Sequence, residues 1–248
     1  MKAPESILFT WRKFDDFPMD TLTNVWIYHN SSGKRQRDVS LMKAHRSKYG
    51  VSGNCFDLAI WLHDEFTKDG IQAYPIGHDL QTEDAHVAVI AVDEQGKRFL
   101  CDLGDQWLQP ILIDAESENY TNEKLGGYFP AAEIQVCPGS REVEILYHRP
   151  NGKVSSQTYD TEPIDMSDFL KAAEYSQNKI KSHPLLECRI PYKDEIAHWE
   201  FNNWKSYLST SEGLFKEEPL VTIEEWAERI NKRSGFKKAF LVESLNIY

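Results

Sequence analysis

One cysteine stands at the expected start of a helix, where its thiol could act as a nucleophile. Cys55 follows a glycine and an asparagine in SGNCFDLA. Apolar residues then recur at helical spacing on one face, at Cys55, Leu58, Ala59, Leu62 and Phe66. Ser52 or Asn54 could cap this helix. A helix N-terminus favours the nucleophilic thiolate, although cysteine is also among the most often buried residue types, so Cys55 could instead be a structural plug.

A histidine and an aspartate lie on a predicted hairpin farther along the chain. AHVAVIAV (85–92) and KRFLCDLG (97–104) are strand-like and flank the turn DEQG. With this turn as the loop, His86 falls opposite Leu103, one residue from Asp102. Facing Cβ atoms in a sheet are ~5 Å apart. We therefore expect His86 and Asp102 to come within reach of each other.

Together these side chains form the set that nucleophilic acyl chemistry needs. An imidazole beside Cys55 would stabilise the thiolate, and a carboxylate on its other nitrogen would orient the ring. Free N–H groups at the helix start could hold an oxyanion. The sequence therefore predicts Cys55, His86 and Asp102 as catalytic residues, with Asp105, past the strand end, as a less favoured partner of His86. Each alone also fits a structural role: a buried thiol, a satisfied histidine and a turn aspartate.

The remaining reactive side chains lack such partners. Local pairing suggests no cysteine or carboxylate partner for five histidines, namely His63, His78, His148, His183 and His198. Cys101 alternates to the face opposite Asp102, which predicts a core position. The four cysteines are widely spaced without a C-x-x-C pair, so no zinc site or other metal is expected. KRQR, within SSGKRQRD (31–38), is predicted to be a solvated loop.

The hydrophobic pattern predicts an α+β chain. Short helices and loops come first, then the helix of Cys55, then antiparallel hairpins that include a strong Asn-Gly turn in RPNG. A further helix, the strand-like stretches LLECRIP and IAHWEFNNWKSYLS and a last helix opened by the capping box TIEE follow. We divide the chain into a helical part with the nucleophile (1–70), an antiparallel β part with the histidine and aspartate (71–160) and a C-terminal α/β part (161–248).

The composition narrows the classes of function. The formal net charge is −11 over 248 residues, which argues against a general nucleic-acid-binding surface. The first residues lack the apolar core of a signal peptide, and no apolar run is long enough for a membrane helix. With few cysteines, the chain is expected to be cytoplasmic with reduced thiols.

Three stretches, GNCFDLAIWL, AHVAVIAV and FLCDLGD, resemble the arylamine N-acetyltransferases. In that family a cysteine at a helix start follows a glycine-rich turn, one strand carries the histidine, and another ends in a D-V-G-type sequence with the aspartate. Cys55, His86 and Asp102 occupy these positions. The NGK hairpin and later segments fit the family layout, so the resemblance spans most of the chain, although only the three stretches are specific.

The resemblance implies a fold and an activity. The fold would be α+β, with a papain-like, transglutaminase-like core, N-terminal helices, an antiparallel β-barrel or sheet and a C-terminal α/β segment. The activity would be ping-pong transfer of an acetyl group from acetyl-CoA, as co-substrate, to an arylamine-type amine through a Cys55 thioester. Basic residues near the C-terminus, Lys232, Arg233, Lys237 and Lys238, could meet phosphates or form a solvated face.

Two other functions stay open. The same triad fits a transglutaminase-like amidase or peptidase, which would release ammonia or cleave peptides and would not take up an acetyl group. The family usually carries an Arg-Gly-Gly run before its cysteine, whereas residues 51–54 here read VSGN. A catalytically silent binding module with the same fold is therefore the third possibility. The acceptor and the oligomeric state are not determined by the sequence.

Overall fold

The computed structural model describes all 248 residues. Its helices are α1 (Glu5–Trp11), α2 (Leu22–Asn30), α3 (Val39–Tyr49), α4 (Cys55–Lys68), α5 (Met166–Gln177), α6 (Ile223–Ser234) and α7 (Lys238–Leu245), with a 3₁₀ turn at Arg12–Phe14 after α1. No helix combines the length and the apolar character that a membrane crossing needs.

Thirteen strands form three antiparallel sheets. The strands are β1 (Met19–Asp20), β2 (Gln72–His78), β3 (His86–Val92), β4 (Arg98–Cys101), β5 (Ile111–Leu112), β6 (Leu125–Phe129), β7 (Ala132–Pro138), β8 (Glu142–His148), β9 (Val154–Asp160), β10 (Leu185–Tyr192), β11 (Glu195–Asn202), β12 (Lys205–Thr210) and β13 (Gly213–Lys216). The sheet orders are β2-β3-β4-β5, β6-β7-β8-β9 and β1-β10-β11-β12-β13. The predicted α+β class is confirmed, and because every sheet is open, the alternative of a closed barrel is not found.

Helix α4 forms where the hydrophobic pattern predicts it. Asn54, and not Ser52, is the N-cap, since its side chain accepts a 3.1 Å hydrogen bond from the Asp57 N–H. Leu58, Leu62 and Phe66 on its apolar face are fully buried, and the helix packs on β2 and β3 of the first sheet. Burial of each such side chain is worth roughly 1.5–3 kcal/mol. This packing fixes the start of α4 relative to β3.

The β3–β4 hairpin differs by one residue from the predicted register. Val92 pairs with Arg98, because Lys97 belongs to the turn and not to the strand. The longer turn moves the facing positions along by one residue. Asp102 thereby becomes a diagonal neighbour of His86 on the same face of the sheet.

The C-terminal sheet contains two features that the pattern did not predict. IAHWEFNNWKSYLS forms two strands, β11 and β12, because Asn203 and Trp204 both adopt positive φ values (48° and 59°) in a tight turn. The short strand β1 joins the edge of this sheet through its pairing with β10. The N-terminal part of the chain is thus tied directly to the C-terminal sheet.

Buried apolar side chains form two clusters. The larger, of 39 residues, joins α1, α4 and α5 to the first two sheets. The smaller, of 16 residues, joins the C-terminal sheet to α6 and α7, together with Leu22 and Val51 from the N-terminal part. The division at residues 70 and 160 stays a prediction.

Candidate active site

Cys55 is the first residue of α4 and is half-buried. The turn before it is tied to the buried Asp20. The Gly53 N–H donates to the Asp20 carboxylate at 2.9 Å, and the Asp20 N–H donates to the Gly53 carbonyl at 2.9 Å. Gly53 has a φ of +112°, which other residues rarely adopt. These contacts hold the turn on the N-terminal side of the thiol in place.

His86 opens β3, and Asp102 directly follows β4. His86 Nε2 lies 2.6 Å from Asp102 Oδ2, as in a strong charge-assisted hydrogen bond. The Asp102 side chain is fully buried, whereas the His86 side chain is 20% exposed. The ring is thus anchored from inside the protein and keeps an accessible edge.

The charge of His86 is set by its two neighbours. Burial alone would lower the pKa of His86, but the charge and hydrogen bond of Asp102 and an interaction with the Cys55 thiol raise it well above its ordinary value. The imidazolium is therefore the favoured form at neutral pH, and it stands beside the thiol.

The Gly104 backbone lies against both Cys55 and Asp102. A Cβ added at Gly104 would come 2.7 Å from Cys55 Cβ and 3.3 Å from Asp102 Oδ1. A larger side chain would not fit between them. The structure thus brings Cys55, His86 and Asp102 together at one place.

Asp102 has two further hydrogen-bond donors. Tyr159 donates its hydroxyl to Asp102 Oδ2 at 2.9 Å, and the Asp105 N–H donates to Oδ1 at 2.9 Å. Asp105, the less favoured partner of His86, instead accepts a 2.8 Å hydrogen bond from the Tyr147 hydroxyl. Burial and the charge of Asp102 raise the pKa of Asp105 to about 6. Neither tyrosine was predicted as part of the site, because strand alternation in EVEILYH for Tyr147 and in VSSQTYD for Tyr159 predicts burial but no hydrogen bond.

A second histidine stands beside the site. His78 on β2 lies directly opposite His86 in the β2–β3 pairing, with the ring centroids 6.0 Å apart. Its Nδ1 is 2.9 Å from the carboxylate of Asp79, a partner that local pairing in the sequence did not suggest. Of the other histidines, only His183 lines the cavity described next.

A cavity of about 450 Å³ opens onto the thiol. Its lining includes Cys55, His86 and Gly104 on one side and Lys179, Lys181 and His183 on another. Lys181 donates to the Glu83 carbonyl at 2.9 Å. The ammonium groups of Lys179 and Lys181 offer positive charge to an anionic ligand close to the nucleophile, with Glu83 as a carboxylate of the same lining.

The C-terminal basic residues do not line this cavity. Arg233 forms a 2.7 Å ion pair with Glu217, and Lys232 lies 3.3 Å from Glu228, which also pairs with Lys238. The alternative of a charged, solvated face therefore fits three of these four residues.

Part of the basic loop is buried, which corrects the prediction of a solvated KRQR segment. Gln36 and Arg37 are 5% and 3% exposed. Arg37 forms a 2.9 Å ion pair with Asp57, two residues after the thiol. The carboxylate of Asp57 compensates the guanidinium charge, and Arg37 can therefore be buried. The composition of the loop does not predict this burial.

The other three cysteines do not line the cavity at Cys55. All four cysteines are free, and Cys101 is buried as predicted, where burial raises the pKa of its thiol. No group of three or more His, Cys, Asp or Glu side chains is arranged to hold a metal ion.

Comparison with known proteins supports the fold. No protein-family model and no curated protein matches the sequence. Among solved structures, M. smegmatis arylamine N-acetyltransferase is 13% identical, with a TM-score of 0.71 over 99% of this chain and 93% of that chain. The Salmonella typhimurium enzyme is 11% identical, with a TM-score of 0.70 over 96% and 89%. Mycobacterium marinum arylamine N-acetyltransferase in complex with CoA is 11% identical, with a TM-score of 0.66 over 92% and 87%. The chain therefore has the fold of the arylamine N-acetyltransferases, which confirms, for the fold, the resemblance that the sequence motifs indicate.

Proposed function

We propose that this protein is a cysteine acyltransferase that moves an acetyl group from acetyl-CoA to an arylamine-type amine. The observation that carries the proposal is the 2.6 Å His86–Asp102 hydrogen bond beside a thiol at the N-terminus of α4. The fold shared with arylamine N-acetyltransferases, one of them in complex with CoA, supports the choice of donor and acceptor.

The first half-reaction acetylates the enzyme. The Cys55 thiolate, paired with the His86 imidazolium, attacks the thioester carbonyl of acetyl-CoA. The oxyanion is held by free backbone N–H groups in the first turn of α4. As the C–S bond to CoA breaks, His86 gives its proton to the departing CoA sulfur. The products are CoA-SH and the Cys55 thioester.

The second half-reaction transfers the acetyl group. The neutral amine of the acceptor attacks the thioester carbonyl, and His86, now neutral, accepts the proton that the nitrogen loses. The C–S bond to Cys55 breaks, which regenerates the thiolate–imidazolium pair and releases the N-acetyl product. Asp102 holds the ring in place through both steps and stabilises its charged form.

Charge in the cleft suits an anionic donor. Lys179, Lys181 and His183 line the same cavity as the thiol. The two lysines would attract the phosphates of acetyl-CoA, even though the whole chain is acidic and Glu83 belongs to the same lining.

The test is the mass of the protein after incubation with acetyl-CoA. We expect one acetyl group on Cys55 in the wild type and none on Cys55→Ala. Cys137→Ser is a matched control, because Cys137 is also a free, partly exposed thiol but does not line the cavity. The acetylated protein should then lose its acetyl group to aniline and release the N-acetyl product.

Two results would contradict the proposal. Release of ammonia from a glutamine peptide, or peptide cleavage, without any acetyl adduct would favour the amidase or peptidase alternative. Slow alkylation of Cys55 that rises only above pH ~8, as for an ordinary thiol, would favour the silent binding module.

A further inference from the structure

We infer that Arg37 is a positioning residue for Cys55 and that its ion pair with Asp57 sets the local charge beneath the thiol. This inference rests on the proposed role of Cys55 as the nucleophile. It concerns a residue that neither contacts the cavity nor belongs to the triad.

One nitrogen of Arg37 joins the two sides of the nucleophile. Arg37 Nη2 donates to the Ser52 carbonyl at 2.8 Å and to Asp57 Oδ2 at 2.9 Å. Ser52 precedes Cys55 by three residues, and Asp57 follows it by two. The guanidinium therefore closes a bridge across the turn that carries the thiol.

The bridge is tightly packed. The side chains of Arg37 and Asp57 are 1% and 0% exposed. Gly53 passes directly over the pair, and a Cβ at this position would collide with both the Asp57 carboxylate and the Arg37 guanidinium. A change in the pair is therefore transmitted to the residues next to Cys55.

The segment that supplies Arg37 is held on α5. The Gln36 N–H donates to the Glu174 carboxylate at 2.7 Å, and the Gln36 side chain donates to Asp57 Oδ1 at 2.8 Å. Gln177, also on α5, donates to Asp57 Oδ2 at 3.0 Å. The Asp57 carboxylate thus accepts three side-chain hydrogen bonds, but Arg37 alone among these donors carries a positive charge.

The sign of the effect follows from the two charges. An unpaired Asp57 carboxylate in the first turn of α4 would disfavour the thiolate, and Arg37 cancels this charge. Other titratable groups lie near the thiol or the pair. His86 and Asp102 come from the first sheet, Asp20 from β1, and Lys179, Lys181, His183 and Glu83 from the cavity lining. His45 on α3 faces the pair itself, since, beyond the lowering of its pKa by burial, Arg37 lowers this pKa and Asp57 raises it. These groups remain the same in the variants proposed below.

The experiment is the pH profile of Cys55 alkylation by iodoacetamide. R37Q should move the pH midpoint upward by about one unit, which is roughly tenfold in rate below the midpoint. D57N should move the midpoint downward, and the double variant R37Q/D57N should return close to the wild type. R37K, which keeps the charge, should recover most of the wild-type profile. Loosening of the turn without a charge effect would instead slow alkylation in both single variants.

The controls separate folding from positioning. Lys34→Gln removes the same charge from an exposed residue of the same loop and should leave the midpoint unchanged. Thermal melting of each variant reports its folding. If R37Q fails to fold, D57N compared with R37Q/D57N still gives the effect of Arg37, since D57N keeps the hydrogen bond of the guanidinium to the Ser52 carbonyl and the double variant has no buried charge at either position.

The results also separate this inference from the proposed function, because alkylation needs no acetyl-CoA. Opposite shifts in the two single variants support the role of Arg37 even if no acetyl adduct forms on the wild type. A midpoint in R37Q and D57N equal to that of the wild type overturns it, even if acetyl transfer is found.

Discussion

Replacement of Gly104 by alanine tests whether the close contact at the triad controls its chemistry. The added Cβ would lie 2.7 Å from Cys55 Cβ and 3.2 Å from Cys55 Cα. Carbon atoms in contact prefer about 3.5–4.0 Å. The cysteine and Gly104 must therefore separate by about 0.8 Å or more to reach ordinary contact distance. Gly104 does not have a positive φ, so backbone strain does not add to this effect.

The added methyl group is expected to lower both the free energy of unfolding and the rate of acetylation. Overpacking of this kind lowers the free energy of unfolding by about 1–3 kcal/mol. A misplacement near 1 Å at a reacting centre can reduce the rate by about 10²-fold. We therefore expect G104A to remain folded with a modestly lower melting temperature, and to acetylate roughly 10²-fold more slowly.

The assay is the rate of Cys55 acetylation by acetyl-CoA, with the alkylation rate as a second measurement. Gly126→Ala is the matched control, because no atom lies within 4 Å of a Cβ placed there and its φ is not positive. G126A should alkylate and melt like the wild type. If G104A also alkylates and acetylates at the wild-type rate, the close packing of Cys55 on Gly104 does not position the thiol, and the reasoning is wrong.

Three further predictions concern the groups around the triad. D102N should lower the pKa of His86, because the carboxylate charge that raises it is lost. We expect acetylation to be slower by about 10²–10⁴-fold and Cys55 alkylation at pH 6–7 to be slower as well. Wild-type pH profiles of acetylation and alkylation in D102N would contradict this. Y159F removes one donor to Asp102 and should lower the free energy of unfolding by about 1–3 kcal/mol, measured by denaturant unfolding. Burial, together with the charges of Asp105 and Glu200, raises the pKa of Glu187 from 4.5 to about 8. The folded protein therefore holds a proton that the unfolded chain releases between these pH values, and its stability falls as the pH rises through this window. E187Q should lose that component of the pH dependence, so its melting temperature relative to the wild type should rise between pH 5 and pH 8; a constant difference would contradict the assignment.

Local patterns were sufficient to predict the helix of Cys55 and the hairpin of His86 and Asp102. Both depend on residues close in sequence: the cap and apolar face of α4, and two strand-like stretches with a turn between them. The predicted pairing register of β3 and β4 was wrong by one residue, because the sequence does not show whether Lys97 belongs to the turn or to the strand. The error left the pairing intact, since diagonal neighbours on one face are still within reach.

The groups that support the triad could not be predicted in the same way. Tyr159 is 57 residues from Asp102, and Arg37 is 20 residues from Asp57. Nothing in the pattern of a basic loop distinguishes an arginine that finds a buried carboxylate from one that stays in water. Such pairs depend on how separate elements pack, which periodicity does not encode.

The two-residue strand β1 makes the support of the cysteine turn depend on a distant part of the chain. Asp20, whose carboxylate and N–H both bond to Gly53, lies on this strand, and β1 forms its sheet pairing only with β10. The neighbouring bond between Leu185 and Thr21 spans 164 positions of the chain. Closing so long a loop costs conformational entropy, and the contacts that offset this cost can form only when both ends of the loop have been synthesised. The hairpin of His86 and Asp102 is complete in sequence before β10 is synthesised, whereas β1, which carries Asp20, gains its sheet partner only afterwards. We therefore expect the full reactivity of Cys55 to appear only after β10 has been synthesised.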